Sequence, residues 1–335
     1  MSRIAILGAG SWGTAIAVVL ARRGGHRVTL WSHTKSVSDT IVRERQNTAY
    51  LPGIQIPSSI QATCDLEEAV RGAEIVTFVV PSEHLRGICA AVAPLLVPQQ
   101  ILVSASKGIE DGTGLRMTQV IAQVLAERPP QLPCGVLSGP SFAQEVASGS
   151  PTAIALASAD LELARRLQKE FSGPTLRLYT NDDVAGVELG GALKNVIAIA
   201  AGATCGLGLG HSTVATVITR GIAEMTRLAV ACGGRRETLA GLAGLGDLVL
   251  TCTGTLSRNR HVGMELGAGC RLHDILRNMN GKVAEGVRTT RAATGLARQL
   301  GVEMPITEQL SAVLEERISA RDAMRELMAR PDRDE

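Results

Sequence analysis

The sequence predicts an α/β protein in which an N-terminal doubly wound, largely parallel sheet is followed by an all-helical C-terminal domain. Three observations carry this. Short β-branched runs alternate with helical stretches as far as residue 179, the pattern of strands crossing over through helices. After Asn181-Asp182-Asp183 those runs stop. The length of 335 residues also exceeds what one hydrophobic core usually fills, so two domains are expected, 1–183 and 184–330.

Strands are expected at 3–7, 27–31, 75–80, 101–104, 135–138, 152–157 and 176–179, with helices at 11–23, 65–71, 83–95, 115–126 and 160–171. Nothing local decides whether the later strands run antiparallel. In the second half a long apolar helix is expected at 187–201, then a flexible glycine-rich stretch at 202–210. Further helices fit 212–231, 262–266, 289–300, 306–314 and 320–328, the last opened by Ser319 with Asp322 in a capping-box pattern.

Composition narrows the function. Hydrophobic residues make up 45% and aromatics only 2%, so Ala, Leu, Val and Ile must fill the core. So few aromatic rings, with a formal net charge of +2 and no Lys/Arg run, exclude base stacking and argue against a nucleic-acid partner. No apolar stretch reaches membrane-spanning length without a charge or turn signal, and no leader pattern precedes the first strand, so no membrane insertion is expected. The seven cysteines are scattered without a C-x-x-C pair, which reads as reduced thiols in a cytoplasmic protein and gives no metal-ligand spacing.

The first strand runs directly into Gly8-Ala9-Gly10-Ser11-Trp12-Gly13 and then a helix. In this Rossmann-type setting Gly8 permits the tight bend, Gly10 admits a pyrophosphate, and Gly13 lets helix and strand pack closely. The helix start offers N–H groups and a positive dipole end to the phosphates. A dinucleotide is the expected ligand; a flavin or adenylate is the alternative on the same turn. The second strand ends Trp31-Ser32-His33-Thr34-Lys35 with no carboxylate for the ribose hydroxyls. NADP(H) should therefore be accepted, with NAD(H) left open, and His33, Lys35 or Arg43 is placed to approach a 2′-phosphate.

Ligands of open α/β sheets lie beyond the carboxyl ends of the strands. Lys107 follows such a strand, where its ammonium either meets an anion or is a solvated loop lysine. Lys194 and Asn195 interrupt an otherwise apolar or small-residue run. A buried lysine needs a partner or a lowered pKa, and a lowered pKa would suit it to proton transfer; a snorkelling side chain is the alternative. Asp247, in Gly244-Leu245-Gly246-Asp247-Leu248, is read as a partner for Lys194, an acceptor for a substrate hydroxyl, or a turn aspartate. Ser257-Arg258-Asn259-Arg260 precedes a helix and reads as a phosphate cradle.

On these segments the chain resembles the bacterial NAD(P)-dependent glycerol-3-phosphate dehydrogenases over essentially its whole length. The carriers are Gly8 to Ala15, Ser106-Lys107-Gly108, Ser138 to Ala143, Glu188 to Ala200, Gly244 to Leu248, Ser257 to Arg260, Glu285-Gly286 and Met304 to Glu308. Trp12 stands where relatives often have Tyr or Phe, and Ser141 where Thr is also common. The resemblance implies reversible reduction of dihydroxyacetone phosphate to sn-glycerol 3-phosphate, a precursor of phospholipid backbones, with no metal.

It also implies roles. Lys194 is the acid/base residue and Lys107 bridges the substrate and cofactor regions, while Asp247 and Asn195 hold the substrate and the proton-transfer network. Ser257, Arg258 and Asn259 bind the substrate phosphate, and Gly139 and Ser141 line the same pocket. Ser11, Trp12, His33, Ala143, Arg258, Val283 and Glu285 contact the dinucleotide, together with Lys107 and the three turn glycines. A homodimer through the helical half is expected. Two rivals stand beside this reading: a β-hydroxyacid or ketopantoate-type reductase, and a non-catalytic nucleotide sensor built on the first domain.

Overall fold

A computed structural model describes residues 1–126, 132–279 and 283–331. The chain forms two compact units, one of Met1–Lys107 with Met117–Val187, the other of Gly108–Arg116 with Glu188–Glu335. The short 108–116 segment thus leaves the sheet unit, and Ile109 sinks into the helical unit's core.

In the first unit, eight strands lie in the order β3-β2-β1-β4-β5-β6-β7-β8. They are β1 (Ser2–Leu7), β2 (His26–Trp31), β3 (Ile60–Thr63), β4 (Ile75–Phe78), β5 (Ile101–Ser104), β6 (Cys134–Ser138), β7 (Thr152–Ala157) and β8 (Leu176–Asn181). Strands β1 to β6 are mutually parallel, β7 is antiparallel to β6, and β8 is parallel to β7. Ile4, Ile6, Ile75 and Val103 are almost fully buried, as expected for a sheet covered on both faces. The covering helices are α1 (Ser11–Arg23), α2 (Lys35–Glu44), α3 (Leu66–Val70), α4 (Ser82–Val92), α5 (Met117–Leu125), α6 (Ala143–Ser148) and α7 (Leu161–Phe171). Asp65 and Asp160 cap α3 and α7 by accepting from backbone N–H groups.

Three elements of this unit go beyond the sequence expectation. Edge strand β3 is only four residues, Ile-Gln-Ala-Thr, too short and too polar to stand out. Helix α2 buries little beyond Val37 and Ile41 in an otherwise polar stretch, and α6 is a six-residue turn of helix. Strand β4 also stops at Phe78 rather than running to Val80.

The second unit is helical: α8 (Val184–Gly206), α9 (His211–Ala231), α10 (Arg236–Leu239), α11 (Asp247–Thr253), α12 (Arg258–Gly267), α13 (Leu272–Asn278), α14 (Glu285–Leu300), α15 (Pro305–Leu314) and α16 (Ala320–Met328). Helix α8, begun in the first unit, is long and apolar enough to cross a membrane by composition, but 83% of its most apolar window is buried inside the protein. A helix apolar all round is a core helix when other helices surround it. Side chains cap several helix starts, that of α12 by Ser257 among them. Ser319 accepts from Asp322 N at the start of α16, and Glu224 of α9 accepts from Ile306 N and from the N and Oγ1 of Thr307 at the start of α15. Burial pushes the Glu224 carboxyl up to about 7 even though those donors favour its charge.

Of the stretch 202–210 expected to be flexible, 202–206 is instead the last turn of α8, and glycine is the reason. A Cβ on Gly202 or Gly206 would lie 2.1 or 2.0 Å from the carbonyls of Arg260 and Met264 on α12. In return, one on Gly263 or Gly267 would lie 2.0 or 2.3 Å from the carbonyls of Ile199 and Ala203 on α8. The two helices touch backbone to backbone. Gly263→Ala is therefore expected to destabilise the fold, at or above the upper end of the roughly 1–3 kcal/mol that overpacking costs. Gly295 on α14 has open space around its Cβ position, and Gly295→Ala should stabilise by about 0.4–1 kcal/mol. Denaturant unfolding of both variants checks the contrast; equal shifts would remove the close-packing account.

Candidate active site

The glycine turn leaves β1 at the carboxyl edge of the parallel strands. The strand order reverses between β1 and β4, the usual place for a ligand on such a sheet. Gly8 adopts φ of +127°, and a Cβ there would lie 2.4 Å from the Val79 carbonyl, so only glycine fits. A Cβ on Gly13 would lie 1.9 Å from the Gly8 carbonyl. At Gly10 it would meet nothing among the described residues within 4 Å, its chain neighbours aside. Gly10 is also the N-cap of α1, and it brings no side chain to satisfy the first-turn N–H groups. Tight turn, tight packing and open space thus fall on the three glycines in the order a pyrophosphate cradle requires. Trp12, half-buried on this turn, has a buried indole Nε1 that finds no hydrogen-bond partner among the described residues.

Other groups at the same sheet edge belong to this unit. His33 follows β2, exposed, its ring edge-on to Trp31. Lys35 pairs with Asp39 and Arg43 with Glu44, all exposed, and such pairs are worth little and break easily. Ser106 Oγ accepts from Val80 N and donates to Val80 O, tying the segment before Lys107 to the end of β4. Lys107 Nζ lies 3.4 Å from the Gly139 carbonyl, which also accepts from Ser141 Oγ at 2.9 Å. Gly139 has φ of +151° and Ile154 atoms 2.9 Å from its Cβ position. Ala143, half-buried, begins α6 beside them.

In the helical unit the central feature is an ion pair between Lys194 Nζ and Asp247 Oδ1, with side chains 9% and 0% exposed. Gly190, one turn before Lys194 on α8, makes the pair possible. A Cβ there would lie 2.5 Å from the Ala243 carbonyl, in the π-helical turn Leu242–Gly246 that delivers Asp247. Thr251 Oγ1 donates to the Asp247 carbonyl at 2.6 Å and lies 3.5 Å from Oδ1. Neighbouring Cys252 is fully buried, and burial pushes its thiol up to about 12, so it stays protonated and takes no nucleophilic part.

A second network lies one residue along α8. Asn195 Oδ1 accepts from Asn259 Nδ2 at 2.9 Å, and Asn259 Oδ1 accepts from Gly286 N at 3.0 Å. Ser257 Oγ caps α12 by accepting from Arg260 N. Of Ser257, Arg258 and Asn259, therefore, two commit oxygens internally, while Arg258 is exposed at the first position of α12. Arg258 borders an open cleft of about 470 Å³ shared with His261, Glu265, Asn278 and Met279. Val283 and Glu285, both half-buried, flank the start of α14. No cluster of His, Cys, Asp and Glu able to hold a metal occurs among the described residues.

Sequence reasoning missed Thr251, and it did not foresee the linking role of Asn259 or any role for Asn47, which grips the glycine turn. The partners of these residues lie on other elements, and no local pattern announces them.

A dinucleotide cradle on a doubly wound sheet, followed by a helical unit with a buried lysine–carboxylate pair, defines the class of nicotinamide-dependent oxidoreductases. The family model described as NAD-dependent glycerol-3-phosphate dehydrogenase N-terminus matches residues 3–164, and the corresponding C-terminus model matches residues 183–325. The chain belongs to this family. It is 60% identical over 338 residues to glycerol-3-phosphate dehydrogenase [NAD(P)+] of Acidobacterium capsulatum, covering 100% of both chains. It is 58% identical over 332 residues to that of Koribacter versatilis, covering 99% and 98%. The crystal structure of glycerol-3-phosphate dehydrogenase from Coxiella burnetii, 42% identical, superposes with a TM-score of 0.93 over 98% of this chain and 99% of that one.

Proposed function

We infer that the protein interconverts dihydroxyacetone phosphate and sn-glycerol 3-phosphate with NAD(P)H, feeding glycerophospholipid synthesis. The observation that carries this is the buried Lys194–Asp247 pair, in a chain that matches both models of the dehydrogenase family. A buried ion pair is a poor way to gain stability, so its presence on a core helix points to chemistry.

When bound, the nicotinamide supplies the hydride that reduces the ketone carbon. Lys194 then serves as the proton donor to the ketone oxygen, and its ammonium stabilises the charge that grows there. Asp247 keeps that ammonium oriented, and Thr251 steadies Asp247. The amide of Asn195, fixed by Asn259, lies beside the lysine in sequence and is read as part of the same proton-transfer network. Arg258, held at the helix start by the Ser257 cap, takes the substrate phosphate through a charge-assisted clamp; Ser257 and Asn259 keep hydrogens for the same group. Lys107, Gly139 and Ser141 are read as further substrate contacts, with Ser11, Trp12, His33, Lys107, Ala143, Arg258, Val283 and Glu285 on the dinucleotide. The absence of a carboxylate after β2 supports use of NADPH as well as NADH. We read the enzyme as a cytoplasmic homodimer; the want of any disulfide among its seven cysteines, all in the described residues, supports the compartment.

Arg258→Ala tests the substrate assignment. The KM for dihydroxyacetone phosphate should rise by about tenfold to a hundredfold, the loss of a charge-assisted contact worth about 1.5–3 kcal/mol. The weak turnover of unphosphorylated dihydroxyacetone should barely change. An unaltered KM for the phosphorylated ketone would reject the clamp.

A further inference from the structure

We propose that Asn47 is a positioning residue for the dinucleotide, which sets the orientation of the Ala9–Gly10 peptide in the glycine turn. This rests on the reading that the dinucleotide lies on that turn.

Asn47 sits in the segment 45–57 that joins α2 to β3, and both ends of that segment are fastened. Arg45 leaves α2 in a left-handed conformation with φ of +53°. Its carbonyl accepts from Ile56 N at 2.8 Å, and its guanidinium donates to the carbonyls of Pro57 and Ile60. Leu51 and Ile56 are sunk in the core of the sheet unit. The segment is therefore a strap of fixed shape.

From this strap Asn47, 1% exposed, reaches the glycine turn. Its Nδ2 donates to the Ala9 carbonyl at 2.8 Å and to Thr14 Oγ1 at 2.8 Å, while Oδ1 accepts from Tyr50 N at 3.2 Å. Both amide hydrogens and the amide oxygen are thereby used. The strap is tied to the turn a second time, by Ser11 Oγ donating to the Tyr50 carbonyl at 2.6 Å.

The consequence follows from peptide geometry. In a planar trans peptide the C=O and the next N–H point in opposite directions. A donor on the Ala9 carbonyl therefore turns that oxygen toward the strap and the Gly10 N–H away from it. Phosphate cradles depend on such N–H groups facing outward together, and a carbonyl rotated among them would repel the anion. Thr14 lies in the first turn of α1, so the same amide also fixes the helix start against the turn. Asn47 thus touches neither substrate nor cofactor and acts through the backbone that binds the phosphates.

The test is titration of the full-length protein with NADPH and with NADH, together with steady-state kinetics. In Asn47→Ala the dissociation constant and KM for the dinucleotide should rise by about tenfold, as expected for the loss of buried hydrogen bonds. The KM for dihydroxyacetone phosphate and kcat at saturating cofactor should stay within about twofold. Asn47→Asp keeps the shape but sets an acceptor against the Ala9 carbonyl and a negative charge beneath the phosphates. It should weaken binding further, by about a hundredfold. Thr14→Val, which removes only one partner, should have the smallest effect and serves with Asn47→Asp if the alanine variant does not fold. Unchanged dinucleotide binding in folded Asn47 variants overturns the proposal, as does an equal loss in kcat and both KM values, which would mark a general loosening. Gly10→Val separates the two readings. If it binds the dinucleotide normally, the turn is not the site. If it loses binding while the Asn47 variants do not, the role of Asn47 alone falls.

Discussion

Lys194→Ala is expected to lower kcat by about 10²- to 10⁴-fold, the usual contribution of a positioned general acid, while the dinucleotide binds with near-normal affinity. The single substitution also has a structural cost. It leaves Asp247, fully buried, without its cation, and breaking a buried pair in this way costs about 3–5 kcal/mol. A variant that is simply unstable would mimic a catalytic loss. Lys194→Met with Asp247→Asn separates the two effects, because it removes both charges and keeps the volume. Replacing a buried pair by neutral groups is often close to neutral for stability. If the double variant unfolds at a denaturant concentration near that of the parent yet turns over no faster than Lys194→Ala, the missing element is the proton donor. Substantial activity in the folded double variant would strip Lys194 of its role.

The second large effect is expected at Gly10. Its backbone, at φ of −72° and ψ of −177°, suits any residue, and a Cβ there meets no atom of the described residues beyond its chain neighbours within 4 Å. Gly10→Val should therefore fold and unfold like the parent. The isopropyl group would instead occupy the approach of the pyrophosphate to the start of α1, and dinucleotide affinity should fall by two orders of magnitude or more, about 3 kcal/mol. Gly13 offers the contrast, because a Cβ there collides with the Gly8 carbonyl in the free protein, so Gly13→Val should lose stability and binding together. Calorimetric titration with NADPH alongside thermal unfolding measures both quantities. Normal binding by Gly10→Val would move the dinucleotide away from this turn.

The parts of the molecule legible in the sequence were those whose signal is local. The glycine turn shows because strand, three glycines and helix follow one another within a few residues. Lys194 and Asn195 show because each is a polar intrusion in a run that is otherwise apolar or small. Strand β3 and helix α2 escape notice because one is a four-residue edge strand and the other buries only a narrow stripe. The end of α8 misleads for a different reason. Gly202 and Gly206 look like breakers, and it takes the facing glycines of α12 to turn them into close-packing positions. Asn47 and Asn259 lie at the far limit of sequence reasoning. Asn47 reaches a carbonyl 38 residues away, and Asn259 a side chain 64 residues away. Their meaning comes only with the fold.

The measurement that bears most directly on the account is the oxidation of NADPH and NADH by the purified full-length protein with dihydroxyacetone phosphate as acceptor. The account predicts rapid oxidation with the phosphorylated ketone, by NADPH as well as NADH, and far slower oxidation with dihydroxyacetone or a 2-keto acid of similar size. Oxidation that proceeds with a keto acid but not with the phosphorylated ketone would contradict it, as would tight dinucleotide binding with no turnover of any of these acceptors.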